Sequence, residues 1–169
     1  MMRVLFLLLL LLPSLALADE PQLRGEYQKW LVYGYHENGA PVCYAMTRAI
    51  ETKNAKGKPL KIKDRGQVLF QVTRRVAEGD NAVVSYVAGH TIKSKTPVMV
   101  RMDKAHFQLR GDGDTAWTET TATDALIVKA LRANKDLTVT HQDRKGNAVG
   151  DAFSLKGASV AIDAIAKCD

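Results

Sequence analysis

Several features that define specialised protein classes are scarce or missing in this sequence of 169 residues. It has 2 Cys, too few for a small scaffold held together by many disulfides. It contains no internal repeat and no Pro-, Gln- or Ser-rich tract, which excludes solenoids, propellers and low-complexity linkers. Its hydrophobic fraction of 46% is too high for a disordered chain. Length and composition therefore predict one globular domain.

Short catalytic and cofactor motifs are also missing. There is no H-E-x-x-H zinc motif, no G-x-S-x-G nucleophile elbow, no C-x-x-C pair and no glycine-rich loop that opens a helix. The histidines fall in four different predicted elements, and we interpret them as scattered: His36, His90, His106 and His141. We expect no cofactor, no metal and no enzymatic activity. A hydrolytic or zinc site assembled from distant strands, gathering His90, His106 or His141 with carboxylates, is the alternative.

The N-terminal segment has the pattern of a secretory signal peptide. Arg3, the apolar run 4–12 and the sequence Ala16-Leu17-Ala18 match a basic region, a hydrophobic region and a cleavage site. The apolar run is shorter than the roughly 20 residues that span a bilayer. We predict that residues 1–18 are cleaved, that residues 19–169 form one mature periplasmic domain, and that no transmembrane segment follows. The mature chain then has 23 basic and 18 acidic residues, a net charge of +5.

The two cysteines, Cys43 and Cys168, both lie in the mature part. In an oxidising compartment an isolated pair usually forms a disulfide, so we predict a Cys43–Cys168 bridge. A redox-active pair is the alternative, but the C-x-x-C spacing that favours it is missing.

Turn residues divide the mature chain into short segments with alternating hydrophobicity. Asn38-Gly39 separates residues 30–36 from residues 42–48, a hairpin pattern. The other predicted strands span residues 68–73, 83–87, 97–102, 106–110, 115–120, 137–140 and 152–155. The sequence therefore predicts a mainly β, antiparallel, sandwich-like domain of about eight or nine strands.

Two segments have helical rather than strand periodicity. Thr123 is predicted to cap a helix over residues 124–133, which ends at Asn134. Near the C-terminus, apolar residues spaced at i, i+3, i+4 and i+7 predict a second helix: Ala158, Ala161, Ile162 and Ile165. A Cys43–Cys168 bridge would fasten this helix to the first hairpin.

One segment concentrates positive charge. Six basic residues fall within thirteen positions that also contain Gly57 and Pro59: Lys53, Lys56, Lys58, Lys61, Lys63 and Arg65. The pattern predicts an exposed loop, which we call the basic segment, suited to an anionic envelope component or an acidic protein. Because no aromatic residues interleave with the charges, nucleic-acid binding is not indicated. An ordinary solvated loop is the alternative.

The aromatic residues are few, and several cluster in the first hairpin. Trp30, Tyr33, Tyr35 and Tyr44 lie there, and Trp117 lies in a later predicted strand. We interpret the two tryptophans as core or interface anchors. A carbohydrate-binding surface would need the rings exposed together, which a sequence does not show.

The order and spacing of several segments resemble those of the invasion-associated locus B family of exported bacterial proteins. The segments that carry the resemblance are Gln28-Lys29-Trp30-Leu31-Val32-Tyr33, Val42-Cys43-Tyr44-Ala45, Thr73-Arg74-Arg75, His106-Phe107-Gln108-Leu109, Thr115-Ala116-Trp117, Lys129-Ala130-Leu131 and Asp151-Ala152-Phe153-Ser154-Leu155-Lys156-Gly157, followed by Ala161-Ile162 and Cys168. The chain departs from many members because it lacks a central cysteine pair.

The resemblance implies a periplasmic or outer-membrane-associated protein with a β-sandwich-like fold and no established enzymatic activity. The family takes its name from a member implicated in bacterial invasion of host red cells, so the resemblance also raises host-cell interaction. Our leading hypothesis is a non-catalytic module that binds an envelope protein or an anionic envelope component. An envelope hydrolase and a purely structural role are the alternatives.

Overall fold

The computed structural model describes residues 19–63, 65–79 and 81–168; the predicted signal peptide, residues 1–18, lies outside the described residues. In the described part the elements are β1 Gln22–Tyr27, β2 Trp30–Glu37, β3 Ala40–Arg48, β4 Glu51–Asn54, β5 Leu69–Arg75, β6 Ala82–Val87, β7 Pro97–Met102, β8 Ala105–Asp112, β9 Thr115–Trp117, α1 Thr121–Ala133, β10 Asp136–Gln142, β11 Ala148–Ser154 and α2 Ala158–Ala166.

The strands form one antiparallel sheet that folds back on itself. Its order is β1-β2-β3-β5-β6-β9-β8-β7-β10-β11-β4. The chain passes from β3 to β4 through Ala49 and Ile50, yet β4 pairs with β11 at the far end of that order. The rings of Phe70 on β5 and Tyr86 on β6 lie 6.0 and 6.2 Å from the ring of Phe153 on β11. The two halves of the sheet therefore face each other across a shared core, and the predicted sandwich-like fold is confirmed.

The first hairpin forms where the Asn-Gly dipeptide predicts it. β2 and β3 pair from Trp30↔Thr47 to Glu37↔Ala40, and the turn has φ of 51° at Asn38 and 79° at Gly39. Glycine adopts positive φ without steric cost and asparagine tolerates it, which is why this dipeptide selects a tight turn.

The two helices cover the open parts of the core. α1 packs against β6 and β8, and α2 packs against β1, β2, β3 and β5. The predicted apolar face of α2 is buried as a whole: Ala158, Ala161, Ile162 and Ile165. The disulfide Cys43–Cys168, with Cα atoms 5.8 Å apart, joins the end of this helix to β3.

The observed strand count is eleven in the described residues, against the predicted eight or nine. The two strands without a counterpart in the prediction are β1, with sequence QLRGEY, and β4, with sequence ETKN. Both lie at an end of the sheet order and are largely polar. Their pairing comes from backbone hydrogen bonds, so they leave no alternating pattern for the sequence to show.

The start of α1 also differs from the prediction. The cap is Thr120, whose side chain accepts a hydrogen bond from the backbone N–H of Thr123, and the helix begins at Thr121. The predicted strand over residues 115–120 correspondingly ends at Trp117. Several closely spaced threonines, Thr118, Thr120, Thr121 and Thr123, satisfy the preference for a hydroxyl at the cap, so the sequence did not distinguish between them. The predicted stop at Asn134 is confirmed.

Candidate functional site

Between β4 and β5 the basic segment forms a turn that hydrogen bonds hold in place, rather than a loose loop. The side-chain Oδ1 of Asn54 accepts from the backbone N–H groups of Lys56 and Lys58 at 2.9 and 3.1 Å. The backbone N–H of Leu60 donates to the carbonyl of Thr52 at 2.8 Å. This turn presents four exposed lysines: Lys56, Lys58, Lys61 and Lys63.

Lys53 occupies a different setting from those four lysines. It lies within β4, not in a loop, and its Nζ is 2.8 Å from the Glu51 carboxylate. Since both side chains are about half exposed, this ion pair contributes little stability. Its positive charge is nevertheless offset locally by Glu51.

Arg65, the last residue of the basic segment, turns inward. Its guanidinium makes a two-pronged contact with Asp151, with Nη1–Oδ1 at 2.9 Å and Nη2–Oδ2 at 2.6 Å. Its Nε donates to the carbonyl of Ala88 at 2.7 Å. The two side chains are 8% and 0% exposed, so Arg65 is an anchor for the segment and its charge does not face solvent.

Asp151 is the centre of a group of buried and half-buried side chains that we call the polar cluster: Thr52, Arg65, Tyr86, His90, His141 and Asp151. Besides Arg65, the Asp151 carboxylate accepts hydrogen bonds from the hydroxyls of Thr52 at 2.6 Å and Tyr86 at 2.5 Å. Burial alone would raise the pKa of Asp151, but the hydrogen bonds from Arg65, Thr52 and Tyr86 outweigh it and hold the pKa below its usual value. Burial, followed by the nearby Asp151 charge, raises the pKa of Tyr86, which keeps its hydroxyl protonated as a donor.

The two histidines of the polar cluster continue this chain of hydrogen bonds towards the surface. Nδ1 of His141 lies 3.3 Å from the Tyr86 hydroxyl, and its Nε2 lies 2.9 Å from Nε2 of His90. Because Tyr86 donates to Asp151, we assign the proton of neutral His141 to Nδ1, which makes its Nε2 an acceptor for His90. Nδ1 of His90 is then an acceptor, buried without a hydrogen-bond partner in the described residues.

Both histidines are held in the neutral form. Burial lowers the pKa of His141 to about 4, and the electrostatic interactions with His90 and with the Arg65 guanidinium act in the same direction. Burial, then the Arg65 charge, also lowers the pKa of half-buried His90. The Asp151 carboxylate opposes the shift at both rings without reversing it.

The polar cluster joins parts of the chain that are far apart in sequence. It connects β4, the end of the basic segment, β6, β10 and β11. A buried ion pair is weak evidence for net stability, but losing one partner leaves an uncompensated buried charge, which is strongly destabilising. The arrangement can fix the position of the basic segment and of β4; because the Asp151 side chain is fully buried, a substrate does not reach its carboxylate.

Sequence reasoning missed Thr52, Tyr86 and Asp151, and it assigned Arg65 to the exposed cations. One signal was present: Asp151 alternates with Val149 and Phe153, so it shares the inward face of β11 with two buried apolar residues. A carboxylate at an inward position needs a buried partner.

The other two histidines lie apart from the polar cluster. His36 is exposed, with its Nδ1 3.4 Å from the carboxylate of Asp19, and His106 is exposed on β8. The structure therefore brings together two of the four histidines, His90 and His141.

The aromatic residues of the first hairpin divide between core and surface. Trp30 is fully buried and donates from Nε1 to the carbonyl of Ser154 at 3.2 Å. Tyr33 and Tyr44 stack with ring centroids 5.3 Å apart, and Tyr35 meets Tyr44 edge-on at 6.4 Å. Trp30 is therefore a core anchor, as expected. Trp117, on β9, is 41% exposed and is not a core anchor.

Two further findings concern metals and membranes. Among the residues that the structure describes, no group of three or more His, Cys, Asp or Glu side chains is placed to hold a metal ion. Neither α1 nor α2, nor any other helix of the described part, has the length and apolar character required to cross a bilayer.

Comparison with known proteins identifies the family. The model of the family described as Invasion associated locus B (IalB) protein matches residues 35–166. Among solved structures, the chain is similar to invasion associated protein B from Bartonella henselae, with 18% identity, a TM-score of 0.57, and coverage of 89% of this chain and 96% of that chain. No curated protein matches the chain. Since the family match covers most of the sequence, the chain belongs to the invasion associated locus B family of exported bacterial proteins.

Proposed function

We propose that this protein is a non-catalytic binding module of the bacterial periplasm whose basic segment contacts an anionic envelope component. Membership of a family of exported proteins and the Cys43–Cys168 disulfide support a location outside the cytoplasm, where disulfides persist. The proposal includes cleavage of residues 1–18 as the export signal.

The observation that carries the proposal is the set of exposed lysines on an anchored turn. Lys56, Lys58, Lys61 and Lys63 are exposed within eight consecutive residues. Asn54 fixes one end of the turn, and the buried contact between Arg65 and Asp151 fixes the other. A preorganised set of charges loses less conformational entropy on binding than a mobile one. Lysines near an anionic surface contribute about 1 kcal/mol each at moderate ionic strength.

The polar cluster favours binding over hydrolysis. The hydrolase alternative needs histidines and carboxylates in a pocket that a substrate reaches. His90 and His141 do gather near Asp151, but Asp151 and His141 are buried and their hydrogen bonds are directed at one another. We therefore assign the polar cluster a positioning role and the binding role to the surface that it supports.

A charge-matched pair of variants tests this assignment. The variant K56Q/K58Q/K61Q/K63Q removes four charges from the basic segment, and K104Q/K129Q/K135Q/K167Q removes four exposed charges elsewhere. We expect the first variant to lose at least tenfold in affinity for phosphatidylglycerol-containing vesicles, measured by sedimentation, because the local potential falls. The second variant should lose much less, and neither should bind pure phosphatidylcholine vesicles.

Equal losses in the two variants would show that only net charge matters and would remove the basic segment from the proposal. Raising the salt concentration should weaken the wild type more than the first variant, because exposed charges are screened. Host-cell interaction is a separate part of the hypothesis, and comparing host-cell attachment of a deletion strain with its parent tests it.

A further inference from the structure

A second surface, distinct from the basic segment, centres on the exposed Trp117. A groove of about 950 Å³ runs along β8 and β9, and the chain before β7 forms its other side. The groove is open to solvent, since the side chains of Arg110 and Glu119 at its wall are 80% and 66% exposed. Its volume lies at the upper end of the ~300–1,000 Å³ typical of small-molecule sites.

Strand alternation places Trp117 in this groove. Its neighbour Ala116 is fully buried, so Trp117 points to the opposite face of the sheet. In register, Trp117 lies beside Arg110 on β8, which in turn lies beside Pro97 on β7. The other tryptophan, Trp30, is 0% exposed, whereas Trp117 is 41% exposed. The indole of Trp117 is therefore an aromatic surface that is partly open to solvent.

Planar hydrogen-bonding groups surround the indole. Gln108, Arg110 and Asp112 alternate along the exposed face of β8, and all three line the groove. Glu119 and Lys95 are the other charged residues that line it. These five groups carry two positive and two negative charges and one neutral amide, so their charges balance. An anionic polymer gains no net attraction here, in contrast to the basic segment.

We propose that this groove binds a chain of neutral sugar units, with one pyranose ring stacked on Trp117. The C–H groups on a pyranose face carry slight positive charge and are attracted to the negative face of an aromatic ring. Amide, carboxylate and guanidinium groups at the rim present paired donors or acceptors that match adjacent sugar hydroxyls. An open groove of about 950 Å³ has room for more than one linked sugar unit.

Affinity electrophoresis in native gels tests the proposal on the mature, oxidised protein. The gels contain one soluble neutral polysaccharide each: dextran, glycogen, galactomannan or mixed-linkage β-glucan. We expect at least one of them to retard the wild type. Trp117→Ala should weaken that retardation at least tenfold, and Gln108→Leu, a substitution of similar size at an exposed position, should weaken it severalfold.

Leu126→Ala is the matched control, because Leu126 is also an exposed apolar residue, 57% accessible, but lies on α1 outside the groove. Thermal melts of all variants establish that they are folded. If Trp117→Ala does not fold, the retardation of Gln108→Leu tests the proposal instead. Titration of the wild type with a hexasaccharide of the retarding polymer should change tryptophan emission, which reports on Trp117 because Trp30 is buried.

Three results would overturn the proposal. One is the absence of retardation by all four neutral polysaccharides. Another is retardation that Trp117→Ala and Gln108→Leu leave unchanged. The third comes from a parallel gel that contains the anionic polysaccharide alginate: retardation by alginate alone that disappears in K56Q/K58Q/K61Q/K63Q would support anion binding at the basic segment and remove the groove as a sugar site.

Discussion

Asp151 shows how a single residue connects the interior of this protein to its surface. The carboxylate lies on the inward face of β11, and its pKa is held low by Arg65, Thr52 and Tyr86 acting against burial. Arg65 is also the last residue of the basic segment, so the ion pair fixes where that segment leaves the sheet. The buried ion pair therefore fixes the position of the basic segment in addition to affecting stability.

The neutral state of His141 predicts how stability depends on pH. Burial lowers the pKa of His141 to about 4, whereas an unfolded histidine has a pKa of about 6.5. Between these values the unfolded chain binds a proton that the folded protein does not bind. The free energy of unfolding should therefore fall by about 3 kcal/mol as the pH drops from 6.5 to 4, in addition to any contribution from other groups.

Urea denaturation at pH 7 and pH 4.5 measures this dependence. His141→Gln should show a smaller loss of stability between the two pH values than the wild type. The control His106→Gln, at an exposed histidine outside the polar cluster, should behave like the wild type. A wild-type pH dependence that persists in His141→Gln would contradict the assignment. Because the pKa of Asp151 is lowered, its carboxylate loses its stabilising charge only below the pH range of this experiment.

At the scale of elements, α1 is attached to the sheet by a buried acidic side chain. Asp124 lies in the first turn of the helix and is almost fully buried. Its Oδ1 accepts from the backbone N–H of Val84 on β6 at 2.7 Å and from the hydroxyl of Thr118 at 2.6 Å. The negative charge also lies at the helix end where the macrodipole favours it.

Asp124→Ala should destabilise the protein by about 2–3 kcal/mol, because the buried N–H of Val84 loses its acceptor. Chemical denaturation monitored by circular dichroism measures the change. Leu126→Ala on the exposed side of the same helix should change stability by no more than about 0.5 kcal/mol. Equal effects of the two substitutions would mean that the contact of Asp124 with β6 adds no measurable stability.

At the scale of the whole molecule, the disulfide joins the C-terminal helix to the first hairpin across a sequence separation of 125 residues. Closing so long a loop restricts the unfolded chain, and the chain-entropy model gives about 4–5 kcal/mol as an upper value. The bridge joins Cys168, just after α2, to Cys43 on β3, so reduction also removes the covalent link that holds the end of α2.

Reduction should lower the urea midpoint of the wild type substantially. Tris(2-carboxyethyl)phosphine added to the denaturation series tests this, with Cys43→Ala/Cys168→Ala as the control that is already destabilised and insensitive to the reductant. A wild-type midpoint that the reductant leaves unchanged, with both thiols shown to be free, would mean that the bridge adds nothing to the native state.

Local patterns were sufficient for much of the architecture. The Asn38-Gly39 turn, the buried face of α2 and the end of α1 at Asn134 each depend on neighbouring residues, and each is observed. The edge strands β1 and β4 and the start of α1 were not predicted correctly. Edge pairing needs no hydrophobic alternation, and the closely spaced threonines around the start of α1 are equivalent as caps until the position where the preceding strand ends is known.

A mainly β chain with an amphipathic C-terminal helix, a cysteine pair and a run of lysines could be predicted from the residues alone, because each is a local or compositional property. Three features became visible only in the folded chain: Arg65 turns inward to Asp151, two histidines meet, and Trp117 is partly exposed while Trp30 is buried. Those outcomes depend on which strands become neighbours and which face each presents. Contacts between residues far apart in the chain are set by packing of the whole sheet, and local patterns in a single sequence do not specify which partners meet.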